Sequence, residues 1–160
     1  ECVPAFDAWQ GLAVFAREER EVTPPENVVR VAKSYLAQRR LSDPAPGVRR
    51  AAATSLGFLR ATSAVPMVLQ ALNDAAPEPS QAAATALGHI RSVDAVPRLM
   101  TFYECGDRDA KIAALDALGL IADARSLPLV RDALSHKDRK IRNAAKYALA
   151  DYDLKRRQLG

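Results

Sequence analysis

Histidine, cysteine and closely spaced carboxylates are the raw material of most metal and acid–base sites, and in this chain they are sparse. Two histidines, His89 and His136, and two cysteines, Cys2 and Cys105, are spread over 160 residues. A structural zinc site needs about four ligands at short spacings, so no metal, no cofactor and no disulfide framework is expected. A Cys2–Cys105 bridge would need an oxidising compartment, and nothing in the spacing brings the two thiols together. His89, Asp116 and Tyr147 are left as the acid–base candidates. Whether they can act together depends on the elements that carry them.

Composition points to helices. Apolar residues make up 49% and charged residues 26%, a globular balance, while alanine supplies 31 of 160 positions and aromatics only 6%. Alanine has the highest helix propensity, and this length suits one domain with a sizeable core. No window approaches the roughly 18 uninterrupted apolar residues of a membrane span. A soluble chain is expected, with a cytoplasmic location favoured; export, or lipid attachment at Cys2, stays open because the chain starts at Glu1.

The net charge of +4 is local. From Glu1 to His136 there are 15 Lys/Arg against 16 Asp/Glu, whereas Lys137 to Gly160 holds 8 against 3. The candidate basic patch is Lys137, Arg139, Lys140, Arg142 and Lys146, followed by Lys155, Arg156 and Arg157. A nucleic-acid footprint calls for basic residues spread over a contact face, so this end predicts a local patch only.

Self-similarity decides the architecture. Leu56, Leu87, Leu118 and Leu149 are each 31 apart; the first three are followed by Gly57, Gly88 and Gly119, the fourth by Ala150. The same offset links Ala52, Ala83, Ala114 and Ala145, and also Pro66, Pro97 and Pro128. Each unit reads as two antiparallel helices. In the first, Val48, Ala52, Leu56 and Leu59 fall on one buried stripe. A glycine inside that helix costs about 1 kcal/mol relative to alanine, so its recurrence demands a packing reason such as a crossing backbone. The second helix is expected to start near Ser63 or Asp94 as caps, with proline in its first turn.

The strings VRRAAATSLGFL (48–59), QAAATALGHI (81–90), KIAALDALGLI (111–121) and IRNAAKYALADY (141–152), with SAVP, DAVP and SLP between them, resemble HEAT-like repeats of the short type also found in phycobilin lyases. The resemblance implies an all-α, right-handed α-α superhelix of the armadillo type, with one helix of each pair on a concave side where partners bind. It predicts one continuous domain: an N-terminal helical cap over 1–41, then repeats at about 42–72, 73–103, 104–134 and 135–160. Within the cap, Pro4 to Arg20 is expected to form an amphipathic helix carrying Phe6, Trp9, Leu12, Ala13 and Phe15. A break at Thr23-Pro24-Pro25 separates it from a second helix, Asn27 to Leu41. The charged tail Asp153 to Gln158 can supply the polar outer face that a solenoid end needs.

On each first helix, the positions about 200° from the buried stripe should be exposed. They are Arg50, Thr54 and Phe58; Gln81, Thr85 and His89; Ile112, Asp116 and Leu120; and Asn143, Tyr147 and Asp151. Together they form the candidate partner-binding groove. Large apolar side chains on an exposed face are typical interface anchors, and Phe58, Ile112, Leu120 and Tyr147 are of that type. Superhelical twist offers Ile112 and Leu120 a second fate, as packing against the next repeat.

These positions favour a protein-protein interaction scaffold or adaptor, binding a protein or peptide, over an enzyme. Parallel helices lie about 8–10 Å apart, and His89 is equivalent to Leu120, one turn beyond Asp116. Direct acid–base contact needs about 2.6–3.2 Å, so no assembled dyad is expected and no catalytic residue is assigned. A phycobilin-lyase-like or other small-molecule-handling activity is the alternative that the resemblance leaves open. The iron-binding His-Glu pairs of deoxyhypusine hydroxylase, another HEAT-repeat enzyme, are missing here, since His89 precedes Ile90 and His136 precedes Lys137. Nucleic-acid contact through the basic C-terminal repeat is disfavoured by sign. Extended by Gly47, Glu78, Asp109 and Lys140, the groove positions hold four acids against two bases. Oligomeric state is left open, because an exposed apolar face can also be covered by a second copy.

Overall fold

The computed structural model describes residues 26–159. By contact the chain divides into Glu1–Val31 and Ala32–Gly160, and the fold described here is that of the second unit. The expected Pro4–Arg20 helix, the Thr23-Pro24-Pro25 break and Cys2 lie outside the described residues.

Eight helices are described: α1 (Glu26–Arg40), α2 (Pro46–Phe58), α3 (Val65–Ala71), α4 (Pro77–Ile90), α5 (Val96–Cys105), α6 (Arg108–Ile121), α7 (Leu127–Asp132) and α8 (Arg139–Leu159). No strand occurs among the described residues. The long first helices α2, α4, α6 and α8 pack in sequence, each against the next, and the short second helices α3, α5 and α7 pack onto them. This is an all-α solenoid of helix pairs. Its core is one continuous apolar layer: Leu56, Leu87, Leu115, Leu118 and Ile141 from the first helices meet Val68, Leu99 and Val130 from the second, all fully buried.

The recurrent glycines have the packing reason that the sequence demands. A Cβ on Gly57 would lie 2.8 Å from the Cα of Ala86; on Gly88, 2.7 Å from that of Ala117; on Gly119, 2.6 Å from that of Ala148. Each first helix therefore presses its glycine against an alanine on the next, backbone to backbone. Ala150, the fourth member of the ladder, is exposed, and among the described residues no backbone presses on it as one does on the three glycines.

The first three first helices end at another repeated feature. Arg60, Arg91 and Ala122 adopt left-handed backbone angles, with φ of 48°, 59° and 49°. The Arg91 N–H donates to the Gly88 carbonyl and the Ser92 N–H to that of Leu87, while the Ala122 N–H donates to Leu118. This reversal satisfies carbonyls that the helix end would leave open. At the corresponding place Asp153 stays helical, and α8 runs on to Leu159, so the charged tail is an extension of that helix.

Ser63 and Asp94 do not cap the second helices as the sequence suggests. Each sits inside a 3-10 turn (Thr62–Ala64, Val93–Ala95) that precedes the α-helix, and the capping positions are Ala64 and Ala95, without a side-chain bond. The tight turn shifts the helix start by one residue and places Pro66, Pro97 and Pro128 at its beginning, where a missing N–H costs nothing.

Loop-to-helix bonds fix the spacing of the pairs. The Arg49 guanidinium grips Asp74 with two contacts, 2.6 and 2.8 Å, and also donates to the carbonyls of Asp43 and Pro44. In the same register Lys111 donates to the carbonyls of Tyr103 and Glu104, and Arg142 to those of His136 and Lys137. At the far end the Tyr152 hydroxyl meets Ser126 Oγ at 2.6 Å and donates to the Asp123 carbonyl, while Lys155 covers the carbonyls of Ile121 and Ala122.

Two substitutions separate these constraints. Gly88→Ala should destabilise the chain by about 1–3 kcal/mol in chemical denaturation, because overpacking against a backbone outweighs the gain in helix propensity. Ala122→Gly should instead stabilise it by about 1 kcal/mol, by relieving the left-handed strain. Equal and small effects at both positions would contradict the assignment.

Candidate functional site

The exposed face of the first helices is where the chain presents side chains that its own fold does not use. Phe58 and Tyr147 are the most open large hydrophobic side chains among the described residues, each 73% exposed. Arg50, Thr54, Thr85, Asp116 and Asn143 are also exposed; Gln81, His89, Ile112, Leu120 and Asp151 are half-buried. The helical arithmetic therefore sorts these positions away from the core, though not to one depth. Ile112 leans on the core cluster, and the Leu120 side chain lies over Gly88, 3.3 Å from where a Cβ would stand. Leu120 thus packs on the preceding repeat, where the sequence offered packing on the next as its alternative, and Ile112 packs on the core.

Local contacts tie neighbouring helices together across this face. The Phe58 and His89 rings lie 5.6 Å apart between centroids at 45°, a tilted arrangement within the usual range for attractive ring pairs. The Thr54 and Thr85 hydroxyls donate back to Arg50 and Gln81 carbonyls on their own helices. The Asp151 carboxylate sits over Gly119, one oxygen 3.2 Å from where a Cβ would be. Asp116 keeps solvent contact, yet its crowded surroundings strip water from it and the Asp151 charge adds repulsion, so its carboxyl is held above the ordinary range, with desolvation the larger cause.

Among the described residues His89 pairs with the Phe58 ring, and no hydrogen bond joins it to Asp116 or Tyr147. No group of three or more His, Cys, Asp or Glu residues is arranged to hold a metal among the described residues. Cys105 is exposed at the end of α5. His136 accepts from the Asp138 N–H through Nδ1, which gives it a place in a loop.

Within the basic patch, Lys137, Arg139, Lys140 and Lys146 are exposed, but Arg142 is half-buried and committed to loop carbonyls. Lys155 is likewise engaged with the end of α6. A shallow open hollow of about 180 Å³ is lined by Leu41, Ser42, Met67, Gln70, Ala71, Asn73 and Asp74, none of them a groove position. No helix of the described residues is long and apolar enough to cross a membrane.

The sequence reading missed the Arg49–Asp74 pair and the Ser126–Tyr152 contact. The available signal was a basic residue recurring at 49, 111 and 142, and a tyrosine in the ladder otherwise filled by Leu59, Ile90 and Ile121.

A solenoid of helix pairs with a solvated first-helix face defines a class, and comparison with known proteins names it. The model of HEAT repeats matches residues 34–104 and 102–158, and the chain belongs to that family. No curated protein matches it. Among solved structures, the complex of CpcE and CpcF of phycocyanin lyase from Nostoc sp. PCC7120 is similar in fold, with a TM-score of 0.54 and 22% identity over 84% of this chain and 68% of the other.

Two carboxylates should respond oppositely to pH. Asp116 binds its proton more tightly folded than unfolded, so its charge subtracts stability at neutral pH and the penalty fades as pH falls through the raised value. Asp74 is held below the ordinary range, chiefly by the Arg49 hydrogen bond, so its contribution is present at neutral pH and is lost as pH falls through the depressed value. Asp116→Asn should raise the melting temperature at pH 7 and Asp74→Asn should lower it. Both differences should vanish in acid strong enough to protonate folded and unfolded chains alike.

Proposed function

We propose that the chain is a binding scaffold that holds a protein or peptide against its first-helix face, the concave side in the geometry that the HEAT resemblance implies. The single observation that carries the reading is the exposure of Phe58 and Tyr147, two large aromatics on a rigid helical layer whose core is complete without them. Aromatic anchors are enriched among residues that dominate interface energies. The mixed chemistry around them, with Arg50, His89, Asp116 and Asn143, supplies the polar contacts that fix orientation.

The similarity to a phycocyanin lyase complex is a likeness of fold. Lyase-like or other small-molecule chemistry is the second reading, and it has less support than binding because His89 has a ring partner, and no hydrogen bond to a carboxylate, among the described residues. Nucleic-acid contact through Lys137, Arg139, Lys140 and Lys146 is weaker again, because Arg142 and Lys155 serve the fold.

The test is affinity capture from lysate of the source organism with wild type and the Phe58→Ala/Tyr147→Ala double variant, followed by mass spectrometry. Both side chains are open to solvent, so the variant should melt within a few degrees of wild type while losing about tenfold or more in partner affinity. A partner retained equally by both proteins counts against this face. Retention of a coloured small molecule in place of a protein favours the lyase-like reading.

A further inference from the structure

We infer that the outer face of α8 pairs with the same face of a second copy of the chain, the two helices running antiparallel about a two-fold axis beside Ala150, with each Lys146 meeting the Asp153 of the other copy. This goes beyond the binding reading and uses a different surface.

The face in question is the one that each earlier first helix gives to its successor. There Ala53, Ala84 and Leu115 are fully buried, next to Gly57, Gly88 and Gly119, which press on the following helix. On α8 the equivalent positions hold Lys146 and Ala150, and both are exposed. The row continues through Asn143 and Arg139 towards the start of the helix and through Asp153 and Arg157 towards its end, all of them exposed. Another repeat stacked in the same register would bury Lys146 where the chain elsewhere places alanine or leucine, and would take its charge out of water. The face is therefore built for a different contact. The ion pairs among the described residues are Arg49–Asp74, Arg108–Asp109 and Arg125–Asp123, so Lys146, Asp153 and Arg157 are in none of them.

Spacing and sign point to a second copy. Positions 139, 143, 146, 150, 153 and 157 alternate steps of four and three, the spacing that keeps a straight seam along one side of a paired helix. Ala150 lies towards the middle of the row, where a methyl group lets two backbones come close, as the alanines opposite Gly57, Gly88 and Gly119 do inside the solenoid. Lys146 stands four residues before it and Asp153 three after it. An antiparallel two-fold between them sets each Lys146 against the other copy's Asp153, so one contact is made twice, as a closed two-fold interface requires. Asn143 then lies level with Arg157, and Arg139 passes beyond Leu159, where the described helix ends. Parallel pairing would instead oppose Lys146 to itself and Asp153 to itself. An anionic strand laid along the row would meet Asp153 between its cations.

Apolar side chains flank the seam. Leu154 is 56% exposed on one side, and Leu149 on the other is half-buried although its counterparts Leu56, Leu87 and Leu118 are fully buried. Both lose water when the second helix arrives. Six seam positions and two leucines a side are fewer than the roughly 20–30 residues of a standard interface, so the pairing is weak, in the micromolar range.

Sedimentation velocity of the intact chain, from micromolar to near-millimolar concentration, tests the pairing. Wild type is compared with Lys146→Glu, which sets acid against acid across the seam, with Asp153→Lys, which sets cation against cation, and with an equimolar mixture of the two. The expected result is a mass that rises with concentration towards that of a dimer for wild type, roughly tenfold or greater weakening in each variant alone, and recovery in the mixture, where each altered seam faces its opposite charge. Both positions are exposed, so the variants should melt within a few degrees of wild type. A wild type that stays monomeric throughout, a dimer that both variants leave intact, or a mixture that pairs no better than its components overturns the inference. Neither variant alters Phe58 or Tyr147, so the binding reading stands or falls on its own test.

Discussion

The contact on which the rest of this structure depends is the near-touching of helix backbones at Gly57–Ala86, Gly88–Ala117 and Gly119–Ala148. With no side chain on one partner and a methyl group on the other, two first helices approach as closely as helices can. Such proximity brings fully buried leucines from adjacent repeats into one layer and leaves no space that larger side chains must fill. It also fixes the axial register, because a glycine accepts its alanine at one height only. The layer is therefore stiff, and whatever its outer face presents is presented at fixed spacing.

Register alone does not stop the pairs from splaying. The recurrent basic position does so: Arg49 and Arg142 reach loop carbonyls just before their own first helices, Lys111 reaches carbonyls in the last turn of α5, and Arg49 also closes onto Asp74 in the following loop. These bonds consume charges that would otherwise read as surface. Arg142 illustrates the consequence: in the sequence it belongs to a basic run, and in the folded chain it is a structural donor. The left-handed ends at Arg60, Arg91 and Ala122 have a related role, since they turn the chain sharply enough for a second helix to fall back on the first.

A rigid layer with a satisfied interior makes the outer face readable by exclusion. Thr54 and Thr85 turn their hydroxyls back to their own helices, Ile112 leans into the core and Leu120 covers Gly88. Phe58, Tyr147, Asp116 and Asp151 remain, and among the described contacts the fold draws from them only a ring pair with His89.

The sequence by itself determined the repeat, the two helices of each pair, the buried stripe through Leu56, Leu87 and Leu118, and the reason for its glycines. All of these follow from periodicity, and periodicity is a local property: 3.6 residues per turn and an in-phase ladder put a residue inside or outside without reference to distant chain. The exposure of Arg50, Thr54, Phe58, Thr85, Asp116, Asn143 and Tyr147 was legible for the same reason, whereas Gln81, His89, Ile112, Leu120 and Asp151 lie half-buried. Tertiary structure decided how deep each of those positions lies, which of the basic residues are free, and that Asp151 lies over Gly119 near Asp116. Those outcomes depend on the distance between helices and the rotamers that the neighbouring repeat permits, and no single helix encodes either.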